Sequence, residues 1–194
     1  MRWIFKVLIF LITAFAKIMP VSAVDLRPTQ FLCQSGGGMG AVSIGTGWRY
    51  GSHLRWETNV FIGIVPKYES ASAKVSLALK ENFIPWRIGL NDRFTLEPFT
   101  ASIYFTTLIS NQVWSQLPER YSSGYYILPT KIRANISFGQ RLKYSLSGKS
   151  SILDSISAYY EIGTCDIYLL SAAGNHEIKF HEFLQLCIGL SINI

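Results

Sequence analysis

Charge is scarce in this 194-residue chain: Asp, Glu, Lys and Arg together make up 15% of it, against 49% hydrophobic residues. That balance excludes a disordered chain and sits low for an ordinary water-soluble surface. Cysteine is scarce too. Cys33, Cys165 and Cys187 are odd in number and lack metal-type spacing, so one disulfide with a free thiol is the most that cross-linking offers. After residue 23 no apolar run approaches the ~20 residues that a membrane-spanning helix needs, and helical periodicity is hard to find. No run of Lys or Arg follows either, which argues against nucleic acid as a partner.

Residues 1–23 have the form of a secretory leader, with Arg2 and Lys6 at the start, the apolar VLIFLITAFA at 7–16, and the small-residue site Val21-Ser22-Ala23. Cleavage after Ala23 is expected. An uncleaved anchor is the competing reading, but Lys17 interrupts the apolar run well short of the ~20 residues needed to span a bilayer. Without Arg2, Lys6 and Lys17 the formal charge of +6 falls by three to +3. Lipidation at Cys33 is disfavoured because Phe31 and Leu32, not small residues, precede it.

What the mature chain does have is alternation. LQLCIGLSINI (184–194) sets Leu184, Leu186, Ile188, Leu190, Ile192 and Ile194 against Gln185, Cys187, Gly189, Ser191 and Asn193, the two-residue period of a strand. MGAVSIGTGWRY (39–50) and LRWETNVFIGIV (54–65) repeat it, separated by Gly51-Ser52-His53, which reads as a hairpin turn. AKVSLALKENF (73–83), residues 95–107, TKIRANISFG (130–139) and residues 152–163 continue the series, and DIYLLS (166–171) is a short seventh strand. This predicts an all-β, antiparallel barrel of about eight strands over 38–194, preceded by an N-terminal segment, 24–37.

Alternation alone does not say which face meets water, because a soluble barrel or sandwich alternates too. The composition of the polar face discriminates: it is crowded with Gly, Ser, Ala and Asn, groups small enough for a narrow lumen, rather than with surface Lys and Glu. Arg49, Arg55, Glu57, Lys74, Lys80, Lys131, Arg133 and Glu161 all fall opposite the aliphatic set, which predicts a charge network inside the lumen. Glu81 and Asp154 break the phase near strand ends. Trp48, Tyr50, Trp56, Trp86, Tyr125 and Tyr126 are candidates for interfacial girdles. The glycines of SGGGMG (35–40) are not a phosphate loop, since neither Lys-Ser/Thr nor a helical pattern follows.

With these features the chain resembles the small outer-membrane β-barrel proteins of Gram-negative bacteria, as a pattern over 38–194 rather than as an alignment. Members of that class end in an assembly signal with a glycine followed three and five positions later by hydrophobic residues. Gly189, Ile192 and Ile194 have that spacing, with Ile194 where the family prefers a terminal aromatic. The resemblance implies placement in the outer membrane, with membrane lipid and the barrel assembly machinery as partners.

Chemistry is harder to find. His53 lies in the first hairpin turn; His176 and His181 lie five apart in GNHEIKFHEF, with no H-E-x-x-H motif and hence no zinc site. Ser171, Asn175 and His176 come nearest to a nucleophile with its base. The lipid A deacylase barrels, weakly similar in size and strand number, carry a His-x-Ser-Asn signature, where this chain has Asn175-His176-Glu177-Ile178. Tyr159, Tyr160, Glu161 and Asp166 form another polar cluster, read as lumen filling. The long segment 111–126, with Trp114, Pro118 and Gly124, has the make-up of a binding loop. The reading that follows is an outer-membrane barrel with a structural or interaction role and no open pore, without cofactor or metal. A lipid-modifying barrel enzyme and a soluble periplasmic barrel for an apolar ligand are the alternatives.

Overall fold

In a computed structural model of the chain, residues 27–67, 73–109, 132–146, 153–168 and 184–194 are described. The two-residue period is realised as strands β1 (Gln30–Gly36), β2 (Val42–Tyr50), β3 (Trp56–Val65), β4 (Lys74–Phe83), β5 (Ile88–Gly89), β6 (Phe94–Ile109), β7 (Ile132–Ser145), β8 (Ser155–Cys165) and β9 (Gln185–Asn193). All neighbours pair antiparallel; β1 pairs with β9 and β4 with β6, so the sheet closes on itself. The two-residue β5 only flanks β6 and stands outside the ring. Of the nine strands among the described residues, eight therefore make a closed antiparallel barrel. Closure leaves no ring strand with an unpaired edge.

The strand ends define two rims. At the near rim β1 begins and β9 ends, with Gln30 opposite Asn193. Connections 51–55, 84–93 and 146–154 are also on that side, whereas 37–41, 66–73, 110–131 and 166–184 join strands at the far rim. The longest connections are thus at the rim opposite the start of β1 and the end of β9.

The aliphatic side of every long strand faces out. Ile64, Ile103 and Ile188 are each 59 to 60% exposed, while Ser43, Asn59, Ser76, Ser102, Ser137 and Ser191 on the alternate face are buried. Small inward groups are needed because eight strands enclose little more than the side chains they send inward. Phe61, Tyr104, Tyr159, Leu32, Ala78, Met39 and Cys187 form the one apolar cluster among the described residues, inside the lumen.

The β1–β2 turn closes the far end of that lumen. Gly36, Gly37, Gly38 and Gly40 all have positive φ, between 65° and 121°. Only glycine enters this region without strain, and it lets the turn fold inward. Met39 is 1% exposed; its carbonyl accepts from the Ser76 hydroxyl, its sulfur lies 3.0 Å from Gln34 Nε2, and the Gly37 carbonyl accepts from Tyr104 Oη at 2.8 Å.

Two elements differ from the sequence reading. The barrel begins at Gln30, not at residue 38: β1 pairs with both β2 and β9. Its alternation is disguised because Leu32 points inward while Cys33 and Ser35 point outward, reversing the usual sorting of polar and apolar groups. Of the expected seventh strand at 166–171, the described residues 166–168 are helical, and 169–171 lie outside the described residues. The two differences cancel in number but not in topology. With β1 ahead of β2, connection 110–131 follows the fifth strand of the ring and so joins strands at the far rim.

Gly189 has a structural reason of its own. It faces the lumen opposite Tyr159, and a Cβ there would run into the Tyr159 ring. We predict that Gly189→Ala displaces the ring from its 2.9 Å bond to Gln34 Oε1. Overpacking of this kind lowers stability by ~1–3 kcal/mol, read from the urea midpoint.

Candidate functional site

The inward face carries its charges in two layers. In the near layer Glu57, fully buried on β3, receives Arg141 Nη1 at 2.8 Å and Nη2 at 2.9 Å from β7 across the lumen. Arg49 Nε reaches the same carboxylate at 2.8 Å and Asn82 Nδ2 at 3.2 Å. Glu97 sits beside it, 2.8 Å from Arg87 Nε and 3.5 Å from Arg141 Nε. Arg87 also donates to the carbonyls of His53 and Leu54, at 2.8 Å each, tying segment 84–87 to the β2–β3 turn.

The middle layer is one ion pair. Lys80 Nζ on β4 lies 2.6 Å from both oxygens of Glu161 on β8, and Ser137 Oγ donates to Glu161 at 2.8 Å. The ammonium is also flanked by the rings of Tyr104 and Tyr159, with centroids at 5.6 and 5.8 Å. Cation–π contact of this kind replaces part of the hydration that burial removes.

Of the residues expected to form a lumen network, Arg49, Glu57, Lys80 and Glu161 are brought into these layers. Lys74 is inward at the far end of β4 and half-buried; Arg133 is half-buried at the far end of β7, 3.8 Å from Asp166. Arg55 stands just before β3 and is exposed. Lys131 lies outside the described residues, as do Ser171, Asn175, His176, His181, Trp114, Tyr125 and Tyr126. Of the cluster at 159–166, Tyr159 and Glu161 face in, whereas Tyr160 faces out and donates to Gln140 Oε1 at 3.0 Å.

Glu97, Arg141 and Arg87 escaped the sequence reading. Glu97 shares parity with Phe99, which faces out, so a strict two-residue period puts it on the aliphatic side. A register shift between Glu97 and Thr100 turns it inward. Pro98 was the available signal, because proline inside a strand marks a bulge. Arg141 does share the parity of Arg133, but Gly139 looked like a strand end; β7 continues to Ser145.

No family model, curated protein or solved structure matches this chain.

Chemically, these layers hold rather than react. Each oxygen of Glu57 and Glu161 is already engaged by a cation, which leaves neither free to exchange a proton with a substrate. Among the described residues no three His, Cys, Asp or Glu side chains converge as metal ligands. Removing one partner of such a pair strands the other: Glu57→Gln is expected to destabilise by ~3–5 kcal/mol. Pairing it with Arg141→Gln should restore part of that loss in a double-mutant cycle of urea unfolding, because one buried charge is then no longer unmatched.

Proposed function

We propose that this chain is an outer-membrane β-barrel of a Gram-negative envelope, with a structural or interaction role and no open pore. The observation that carries the reading is the outer face. Among the described strand residues Glu81 is the only charged side chain that faces out, and its carboxylate is held by Tyr50 Oη and, at 2.5 Å, Thr58 Oγ1. The rest of that face is mostly aliphatic or aromatic, with uncharged polar groups such as Thr58, Cys33, Ser35 and Gln140 among them. Water-soluble proteins rarely expose contiguous apolar patches beyond a few hundred Å². Hydrocarbon removes that difficulty and demands the closed backbone pairing that this barrel has.

Aromatic pairs add support. Trp56 with Phe83 (4.7 Å), Phe94 with Tyr144 (5.0 Å) and Trp86 with Phe99 (6.0 Å) lie toward the near rim on the outward face, where an interfacial girdle belongs. On this reading the near rim is periplasmic, and the longer far-rim connections face outside, the usual division in such barrels. Gly189, Ile192 and Ile194 are then the signal offered to the assembly machinery. The filled lumen argues against conduction. A soluble barrel for an apolar ligand needs an apolar interior, and here the interior holds the ion pairs.

Cell fractionation tests the placement: the protein should sediment with the outer membrane and shift mobility on gels when boiled. Leu79→Arg, on the outward face of β4, should reduce folding into bilayers, because arginine on a lipid face costs ~2–4 kcal/mol at mid-depth. A soluble periplasmic protein that tolerates Leu79→Arg would remove the membrane reading.

A further inference from the structure

Cations outnumber carboxylates at the near mouth of the lumen. Arg49, Arg87, Arg141 and Lys143 are gathered around Glu57 and Glu97, with Asp154 at the rim, leaving one positive charge over. Two of these four cations are fully spoken for. Arg141 spans Glu57 and Glu97, and Arg87 is divided between Glu97 and the carbonyls of His53 and Leu54.

Two are not. Arg49 binds Glu57 through Nε, yet its Nη2 has no hydrogen-bond partner although the side chain is only 9% exposed. Lys143, half-buried and pointing inward near the end of β7, makes no ion pair among the described residues. It lies within electrostatic reach of the cations Arg49 and Arg87 and of the carboxylates Glu97 and Asp154, none of which pairs with it directly. Lys143 stands directly across from Ser157, and Ser157 across from Ser191; both hydroxyls are buried and unpartnered. Buried donors in native proteins nearly always find an acceptor. Here the donors are cationic or hydroxylic, and they share one mouth.

We propose that the near mouth binds a small oxyanion of the phosphate class, held by Arg49 Nη2 and Lys143 Nζ, with Ser157 and Ser191 hydroxyls as further donors. Guanidinium and ammonium groups form charge-assisted bonds to such oxygens, stronger than neutral ones. Of the nearby carboxylates, Glu57 is engaged through both oxygens by Arg141 and Arg49, Glu97 Oε1 receives Arg87 while its Oε2 lies 3.5 Å from Arg141 Nε, and Asp154 is exposed at the rim. Entry is from the near rim alone: the Lys80–Glu161 layer and the inward β1–β2 turn close the lumen beyond. The site makes no demand on the outer face, so it stands whether that face meets lipid or water.

The test is calorimetric titration of the chain, folded in a nonionic phosphate-free detergent, with inorganic phosphate at constant ionic strength. Saturable binding of one anion per chain is expected. Lys143→Gln should weaken it at least about tenfold, ~1.4 kcal/mol, and Arg49→Gln similarly, whereas Lys74→Gln at the far rim leaves it unchanged. Lys143→Gln decides the matter if loss of Arg49 impairs folding, since Lys143 carries no structural ion pair among the described residues. A second titration uses short-chain phosphatidylglycerol in the same micelles. If it binds with the same dependence on Lys143 and inorganic phosphate does not, the phosphate recognised is a lipid headgroup; if inorganic phosphate binds and displaces it, the ligand is the free ion. No saturable binding of either, or binding that Lys143→Gln leaves untouched, overturns the proposal.

Discussion

Arg141 reaching across the lumen to Glu57 is the contact on which the rest of this barrel depends. The residues sit on β7 and β3, which are not neighbours in the ring, so the pair joins opposite walls as no backbone ladder can. Lys80 and Glu161 do the same between β4 and β8. A closed sheet of eight strands has an interior too narrow for bulk water, so any charge sent inward must meet its opposite there or the strand register fails. Charge pairing therefore selects register. Sliding one strand by a residue would put Glu57 or Arg141 on the outer face and leave its partner alone inside.

The same narrowness explains the choice of uncharged inward residues. Gly139 and Gly189 face the lumen where a side chain would meet Glu161 or the Tyr159 ring, so the large groups are accommodated by their absence across the ladder. Small polar residues fill the remaining spaces, and some bond one another, as Gln30 Nε2 does with Asn59 Oδ1 at 2.6 Å and Asn193 Nδ2 with Ser155 Oγ at 2.7 Å. Apart from the cluster around Leu32, Met39, Phe61, Tyr104 and Tyr159, the interior is polar, and most of the aliphatic residues face out.

Period-two reading recovered β2, β3, β4, β6, β7, β8 and β9 because each keeps one aliphatic face through most of its length. It failed where local chemistry and facing part company. In β1 the inward residues are Gln30, Leu32 and Gln34 and the outward ones Phe31, Cys33 and Ser35, so neither face is uniform. In DIYLLS an apolar run imitated a strand where the structure has a helical turn at 166–168. Half of the near charge layer was hidden for a different reason. Glu97 changes side at the irregularity beside Pro98, and a single inserted residue defeats any parity count made along one strand. The cross-lumen partners were beyond reach altogether: alternation says which residues face inward, but not which of them meet, because that depends on shear and tilt around the whole ring.

The lumen is also asymmetric along its axis, and this gives the barrel a direction. At the far end it is closed by the backbone of a glycine-rich turn and by Met39, groups that carry no net charge and bond to Ser76, Gln34 and Tyr104. The Lys80–Glu161 pair below is neutral. At the far rim Lys74 is half-buried beyond this closure, whereas inside the near mouth Arg87 and Arg49 surround Glu57 and Glu97 and Lys143 stands without a carboxylate of its own among the described residues. A surplus cation at a mouth keeps its attraction for anions, whereas the same cation deeper in would have to be neutralised by a protein group for the barrel to fold. Structural charge and recruiting charge are thus separated by depth: pairs that hold the walls together lie where solvent does not reach, and the unmatched group lies where it can be reached from one side only.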